Sequence, residues 1–258
     1  MKDRVVLITG ASSGLGRAAG RLFVDEGARI GGLDIEEGQL GEAMQEMRQR
    51  GGQAMALVAD VSKPDQVEGA IGQLVAAWGR LDVVFANAGI NGLWAPLDQI
   101  SPDDWRRTID VNLTGTYLTV HYALPYLKER GGSVIITSSV NGTRMFSNSG
   151  ASAYAASKAG QAAFAKMLAL ELARFGIRVN VICPGHIATE IADYTERQDL
   201  EEAGWPVRYP QGKVPLTGGG PGKPEDVAEL VRFLASDAAR HITGTEVWID
   251  GAESLLRG

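Results

Sequence analysis

Short β-rich runs alternate with longer helical stretches along the whole chain, and that alternation leaves few folds open. Strands are predicted at Val5–Thr9, Arg29–Leu33, Ala54–Ala59, Val83–Ala86, Ser133–Thr137, Arg178–Ile182 and Val247–Ile249. Helices are predicted between them at Leu15–Glu26, Glu37–Arg50, Asp65–Trp78, Asp103–Leu127, Ala155–Phe175 and Glu225–Ala235. Several strands are near-continuous apolar runs, which suits strands covered on both faces. The expected fold is α/β: a doubly wound, Rossmann-type, seven-stranded parallel sheet with helices on both faces. Ser101-Pro102-Asp103-Asp104 and Lys223-Pro224-Glu225-Asp226 place proline and acids where the first turn of a helix wants them.

No charge run, repeat or Ser-rich linker divides the 258 residues, so residues 1–258 read as a single domain. The regular alternation lapses only over 188–222, which holds Pro206, Pro210, Pro215, Pro221 and Gly218-Gly219-Gly220. A stretch this long inside a compact domain is expected to act as a substrate lid. The 33 glycines suit an architecture with many tight strand–helix turns.

Charge and cysteine usage exclude other classes. With 25 basic and 31 acidic residues the net charge is −6, which offers no field for a phosphodiester backbone, so no nucleic-acid partner is expected. Cys183 is the only cysteine, and His121, His186 and His241 are scattered, so neither a disulfide nor a metal site is expected. Met1-Lys2-Asp3-Arg4 runs directly into the first strand, leaving no room for a signal peptide, and no apolar run approaches a membrane span. The expected location is cytoplasmic, with no membrane partner.

The turn Thr9-Gly10-Ala11-Ser12-Ser13-Gly14-Leu15-Gly16 joins the first strand to the first helix. Gly10 can take a backbone conformation closed to other residues, and Gly14 and Gly16 let a pyrophosphate and the neighbouring strand come close to the helix start. The N–H groups and positive dipole end there favour an anion. Asp34, 18 residues beyond Gly16, ends the second strand, where an acid accepts hydrogen bonds from ribose hydroxyls. A carboxylate there repels a 2′-phosphate, and Ser12, Ser13 and Ile35 supply no cation to offset it, so the expected cofactor is NAD. Arg17 is the nearest cation that could weaken this preference.

With these elements in order the chain resembles the short-chain dehydrogenase/reductase family over essentially its whole length. The glycine turn has that family's T-G-x-x-x-G-x-G form. Asp60-Val61 resembles the pair that contacts adenine, and Asn87-Ala88-Gly89 the N-A-G element that braces the sheet and lines the cofactor. Tyr154-Ala-Ala-Ser-Lys158 reads as Y-x-x-x-K. Pro184-Gly185-His186-Ile187-Ala188-Thr189 reads as the turn that holds the nicotinamide amide. The resemblance implies that Ser139, in Ser139-Val-Asn-Gly142, and Asn112, in Asp110-Val-Asn-Leu-Thr-Gly115, complete a catalytic set with Tyr154 and Lys158. It also implies a homotetramer, with the apolar face of the Ala155–Phe175 helix and the Gly244–Gly251 run as contact surfaces.

The residues themselves support the chemistry. Oxidising an alcohol needs a base for the hydroxyl proton while hydride leaves from carbon. A free tyrosine ionises well above neutral pH, and a nearby cation favours its phenolate. Tyr154 and Lys158, four apart on a helix, share one face, so the ammonium is expected to lower the phenol. Ser139 would hydrogen-bond the reacting oxygen. The resemblance gives Asn112 the role of holding a water that links Lys158 to solvent, and bonding backbone where its helix bends is compatible with that role. The Ser139-to-Tyr154 spacing of 15 exceeds that of most members, and the excess is expected in 144–150, leaving Ser138 as an alternative to Ser139.

Substrate candidates are Ser139, Asn141, Met145 and His186, with Asn91, Trp94, Tyr194 and Trp205 on neighbouring loops. The polar members suit a polyol or sugar and the aromatic ones a ring or acyl chain. The sequence thus points to an NAD(H)-dependent oxidoreductase that interconverts a secondary alcohol and its ketone. Two alternatives stand beside it: a 3-oxoacyl-thioester reductase, with Arg130 and Arg174 meeting an acidic carrier, and a non-catalytic dinucleotide sensor.

Overall fold

The computed structural model describes residues 1–204 and 209–256. Seven strands form one parallel sheet: β1 (Val5–Thr9), β2 (Arg29–Asp34), β3 (Gln53–Val58), β4 (Val83–Ala86), β6 (Gly132–Thr137), β7 (Ile177–Pro184) and β9 (Glu246–Ile249). Their order is β3-β2-β1-β4-β6-β7-β9. The chain therefore winds outward from β1 in one direction and, after β3, returns to wind outward in the other. The remaining two strands, β5 (Leu93–Trp94) and β8 (Glu196–Arg197), form a separate parallel pair.

Alternation along each central strand explains why both faces are covered. On β1, Val5 and Leu7 pack with α3 (Pro64–Trp78), α5 (Gly115–Lys128) and α6 (Ser152–Leu172). Val6 and Ile8 face the other way, onto α1 (Gly14–Asp25), α2 (Glu37–Gln49) and α7 (Pro224–Ala235). The same division recurs at Val84 against Phe85 on β4 and at Val134 against Ile135 on β6. Each such side chain contributes about 1.5–3 kcal/mol on full burial, which is why these strands carry apolar residues in both phases.

Three helix starts show how local chemistry sets the boundaries. Ser101 accepts a hydrogen bond from the Asp104 amide (3.1 Å) and so caps α4 (Pro102–Ile109). At α7 the Asp226 carboxylate accepts from the Lys223 amide (3.0 Å). Lys63, before Pro64, is in the extended conformation that proline imposes on its predecessor.

The single helix expected over Asp103–Leu127 is not one regular helix. α4 and α5 are joined by a wide π-type turn, Asp110–Thr114. The Asn112 carbonyl accepts from Thr116 Oγ1 (2.7 Å) and from Gln161 Nε2 on α6 (2.8 Å), so side chains meet this acceptor and the local winding opens. The stretch 188–222 carries short elements of its own among the described residues. It contains β8 and short 3₁₀ turns at Glu190–Ala192 and Pro215–Thr217; Pro206 lies outside the described residues.

At the end of the sheet where the strands begin, buried Asp82 ties three of them. Its carboxylate accepts from the Val5 amide (2.8 Å) and from Arg80 Nε (2.8 Å), while its backbone bonds Val5 O and the Ser133 amide (3.0 Å each). Asp82→Ala leaves the Val5 N–H and the Arg80 guanidinium without their acceptor. We expect it to lower unfolding stability by about 3 kcal/mol, measured by urea denaturation, with secondary structure retained.

Candidate functional site

The glycine turn forms where the winding direction changes, between the carboxyl ends of β1 and β4. Gly10 has φ +68°, and a Cβ on Gly16 would overlap the Gly10 carbonyl oxygen, so this turn packs on the helix start only with glycine there. Across it, a Cβ on Gly14 would lie 3.3 Å from Thr189 Cγ2, which places Pro184–Thr189 directly over the turn. Ser13 precedes α1 with an extended backbone and Leu15 packs partly against the core.

Asp34 lies at the end of β2. Its Oδ2 accepts from the Ser12 amide (3.1 Å) and Ser12 Oγ (2.7 Å), and its Oδ1 from the Glu36 amide (3.2 Å). Arg17 points elsewhere: its Nε donates to Glu46 Oε2 (3.0 Å), and Arg21 shares that carboxylate. Ile35 is exposed beside Asp34. Asp60 Oδ1 accepts from the Ser62 amide (2.8 Å), and Val61 is buried against Gly115.

Asn87 joins this nucleotide end to the reacting end. Its Nδ2 donates to Thr9 O (3.1 Å) and its Oδ1 accepts from Thr137 Oγ1 (3.1 Å); its amide and that of Ala88 both donate to Thr9 Oγ1. Thr137 O in turn accepts from Lys158 Nζ (2.8 Å). Lys158 is 3% exposed, with Nζ 5.5 Å from the centre of the Tyr154 ring. Ser139 hydrogen-bonds Tyr154 and also accepts from the Asn141 amide (3.1 Å). Ser138 faces away and donates to the Lys158 carbonyl (2.7 Å).

Asn112 is fully buried. Its Oδ1 accepts from the Ile90 amide (2.8 Å), and its Nδ2 donates to Ile90 O (2.9 Å) and Ser157 Oγ (3.0 Å). Of its two expected roles, this geometry is the backbone-bonding one. A Cβ on Gly89 would stand 3.1 Å from Asn112 Oδ1 and 3.5 Å from Lys158 Nζ, so glycine there lets the cluster close.

The electrostatics correct one expectation. Lys158 does not lower the Tyr154 phenol here. Burial pushes Tyr154 up, and the hydrogen bond to Ser139 only partly opposes it. Burial also pushes Lys158 down to about 7, so near neutrality much of it carries no charge to favour a phenolate. Behind the pair, burial raises the Cys183 thiol to about 11.

The pocket side is built by loops. Trp94 lies with its ring 6.3 Å from that of Tyr154, held by a bond from Nε1 to Asn91 O (3.2 Å). Asn91 Nδ2 donates to buried Thr195 Oγ1 (2.7 Å), and the Gln198 amide to Trp94 O (3.0 Å), which docks the β8 segment over this wall. Asn141 accepts from Asn148 Nδ2 (2.9 Å), with Met145 buried between them in sequence and Phe146 turned outward. His186 and Tyr194 are exposed and are not drawn into the cluster; Trp205 lies outside the described residues. Asn148 and Thr195 were not singled out from the sequence, because their partners Asn141 and Asn91 belong to pairings that only the folded loops create. Arg130 and Arg174 stand just before β6 and β7, at the opposite ends of those strands from Ser139 and Pro184.

Among the described residues, no group of three or more His, Cys, Asp or Glu could hold a metal ion, and no helix is long and apolar enough to cross a membrane.

The Lys158 shift has a signed consequence for stability. Between about 7 and the ordinary lysine value of 10.5, the unfolded chain holds a proton at this position that the folded chain lacks, so stability rises with pH. Tyr154 and Cys183 shift upward and keep their protons in the folded chain through the lower part of this window. Urea unfolding between pH 7 and about 8.5 should show the parent gaining about 1 kcal/mol per pH unit relative to Lys158→Met.

Comparison with known proteins agrees with this architecture. A family profile described as "Enoyl-(Acyl carrier protein) reductase" matches residues 10–252. The 3-oxoacyl-[acyl-carrier-protein] reductase of Thermotoga maritima is 38% identical over 97% of this chain and 98% of its own length. The cyclohexanol dehydrogenase of an Acinetobacter species is 35% identical, with 97% and 94% covered. The crystal structure of a 3-ketoacyl-ACP reductase from Sinorhizobium meliloti superposes with a TM-score of 0.95 at 52% identity, covering 98% of this chain and all of that one. The chain belongs to the short-chain dehydrogenase/reductase family and is an oxidoreductase acting on CH–OH or C=O groups.

Proposed function

We propose that this protein is an NAD(H)-dependent oxidoreductase that interconverts a secondary alcohol, a polyol, sugar or similar small molecule, and its ketone. The observation that carries this reading is the buried cluster in which Ser139 bonds Tyr154 and Lys158 bonds Thr137 O. The reading takes residues 1–258 as one domain and 188–222 as its lid, supported by the docking of β8 on Trp94.

The residues fit a dinucleotide. The cradle Gly10–Gly16, with Ser12, Ser13, Gly14 and Leu15, would take the pyrophosphate at the start of α1. Asp34 and Ile35 would meet the adenosine ribose and Asp60-Val61 the adenine. Asn87, Ala88 and Gly89 would line the ring end, and Pro184, Gly185, Ile187 and Thr189 the nicotinamide amide. Ser12 holds Asp34 at the ribose position, and Glu46 holds Arg17 away from it, which favours NAD over NADP.

When bound, NAD supplies the hydride acceptor. Tyr154 Oη takes the hydroxyl proton of the alcohol, or returns it to the ketone in the reverse direction. Ser139 Oγ steadies the reacting oxygen as its charge changes. Lys158, held by Thr137 O beside Tyr154, would hydrogen-bond the nicotinamide ribose. It would regain its proton where burial is offset by hydrogen bonding to that ribose. Asn112 positions the Gly89–Ile90 wall and, through Ser157, the start of α6. Asn91, Asn141 and Asn148 give the pocket a carboxamide lining suited to extra hydroxyls, with Met145 and Trp94 as its apolar side and His186 at its rim. Exposed Met167 and Leu170 on α6, next to Tyr117 and Phe164, support a homotetramer in which copies meet along this face.

A second reading, a 3-oxoacyl-thioester reductase, is favoured by two of the similar proteins. Within one chain, a carrier held by Arg130 and Arg174 would have to present its acyl group across the length of β6 and β7.

Three outcomes follow. Turnover followed by nicotinamide absorbance should appear with NAD and a polyol, sugar or cyclic alcohol; turnover confined to 3-oxoacyl esters with NADPH would replace this reading by the second. Tyr154→Phe should lower kcat by about 10²-fold or more while leaving the NADH dissociation constant close to the parent's. Asp34→Ala should shrink the NAD-over-NADP preference in kcat/KM by about tenfold or more, through loss of ribose bonds and of repulsion.

A further inference from the structure

The turn Pro184–Thr189 is gripped from behind by the C-terminal segment. Glu253 is 4% exposed, and its Oε2 accepts from the His186 amide at 2.6 Å, a short charge-assisted bond. A Cβ on Gly185 would sit 2.6 Å from that same oxygen and 2.6 Å from Asp250 Cβ, so the glycine is what lets the carboxylate in. The segment is itself tightly built: Asp250 Oδ1 accepts from the Ala252 amide (3.1 Å) and Oδ2 from the Ser254 amide (2.9 Å), while Ile249 O accepts from the Gly185 amide (3.1 Å). From the other side Gly222 holds the turn, its amide donating to His186 O and its carbonyl accepting from the Ala188 amide (2.9 Å each).

We propose that Glu253 is a positioning residue for the nicotinamide half of the cofactor, acting through the His186 amide on the turn Pro184–Thr189. The proposal rests on the reading of this turn as the nicotinamide holder. Among the described residues, the buried Glu253 carboxylate bonds no side chain. Its one bond falls on the residue between Gly185 and Ile187, whose backbone aim sets where a carboxamide can be met. The glycine turn, which follows β1, and Asp34 on β2 make no hydrogen bond to the C-terminal segment among the described residues. The Pro184–Thr189 turn reaches the glycine turn through Thr189 Cγ2, three residues beyond the amide that Glu253 holds. The adenosine half of the site therefore depends on Glu253 far less than the nicotinamide half.

The test is binding of NADH and of ADP-ribose, which lacks the nicotinamide, to the full chain and its variants, by calorimetry. Glu253→Ala should weaken NADH by about tenfold and leave ADP-ribose within about twofold. Glu253→Gln keeps a carbonyl acceptor and should restore NADH binding to near the parent value. Should Glu253→Ala not fold, Glu253→Asp, one methylene short of the amide, should show the same selective loss. Unchanged NADH binding in the folded Ala or Asp variant, or equal loss of both ligands, overturns the proposal. A parent chain that binds neither ligand overturns the nucleotide reading itself, whereas one that binds ADP-ribose but discriminates nothing through Glu253 overturns only the role given to this residue.

Discussion

Asn87 stands at the point where the sheet changes its winding direction, and the site depends on what that one carboxamide ties together. Its amide nitrogen reaches back to β1 at Thr9, and its oxygen takes the Thr137 hydroxyl on β6. Thr137 then offers its carbonyl to Lys158 on α6. A single run of hydrogen bonds therefore links the glycine turn to the Tyr154–Lys158 face. Parallel strands leave their carboxyl ends splayed, and a side chain that spans three of them sets the spacing between the nucleotide end and the reacting end. Because Thr9, Thr137 and Lys158 are buried, their bonds are strengthened by the low dielectric, and loss of one would strand the others.

Around this brace the molecule spends its irregular features close to the site. The π-type turn at Asp110–Thr114 carries Asn112 into the wall beside Gly89 and Ile90. The loop 140–151 lies between Ser139 and the start of α6. It is anchored by Trp248 Nε1, which donates to Thr143 Oγ1 (3.2 Å), and by Thr143 Oγ1, which donates to Ser139 O (2.6 Å). The edge strand β9 thus supports Ser139 from behind, as the C-terminal segment supports Gly185 and His186. In the reading proposed here, specificity would reside in paired loop amides, while the reacting groups sit just past β6 and on α6, whose packing locks them.

Much of this was legible in one dimension because its physics is local. Strand and helix phases follow from alternating burial, and all seven strands of the sheet lie within a residue or two of the expected ranges. The glycine turn, Asp34, and the Tyr154/Lys158 face follow from spacing along single elements. What was misread depends on contacts between elements. The break in the 103–127 helix comes from Gln161 reaching across from α6. The rise of the Tyr154 phenol comes from burial that no spacing reveals, opposed only in part by the Ser139 hydrogen bond.

The sequence by itself determined the doubly covered parallel sheet, the cradle at the start of α1 and the identity of the groups able to move a proton, since each rests on periodicity or on a residue's intrinsic chemistry. Only the tertiary structure decided which serine faces Tyr154, that Arg17 is held by Glu46 rather than left beside Asp34, and that Glu253 closes on the Gly185 turn. Those outcomes turn on which distant side chains share a buried volume, and charge and hydrogen-bonding energies take their size and even their sign from that surrounding.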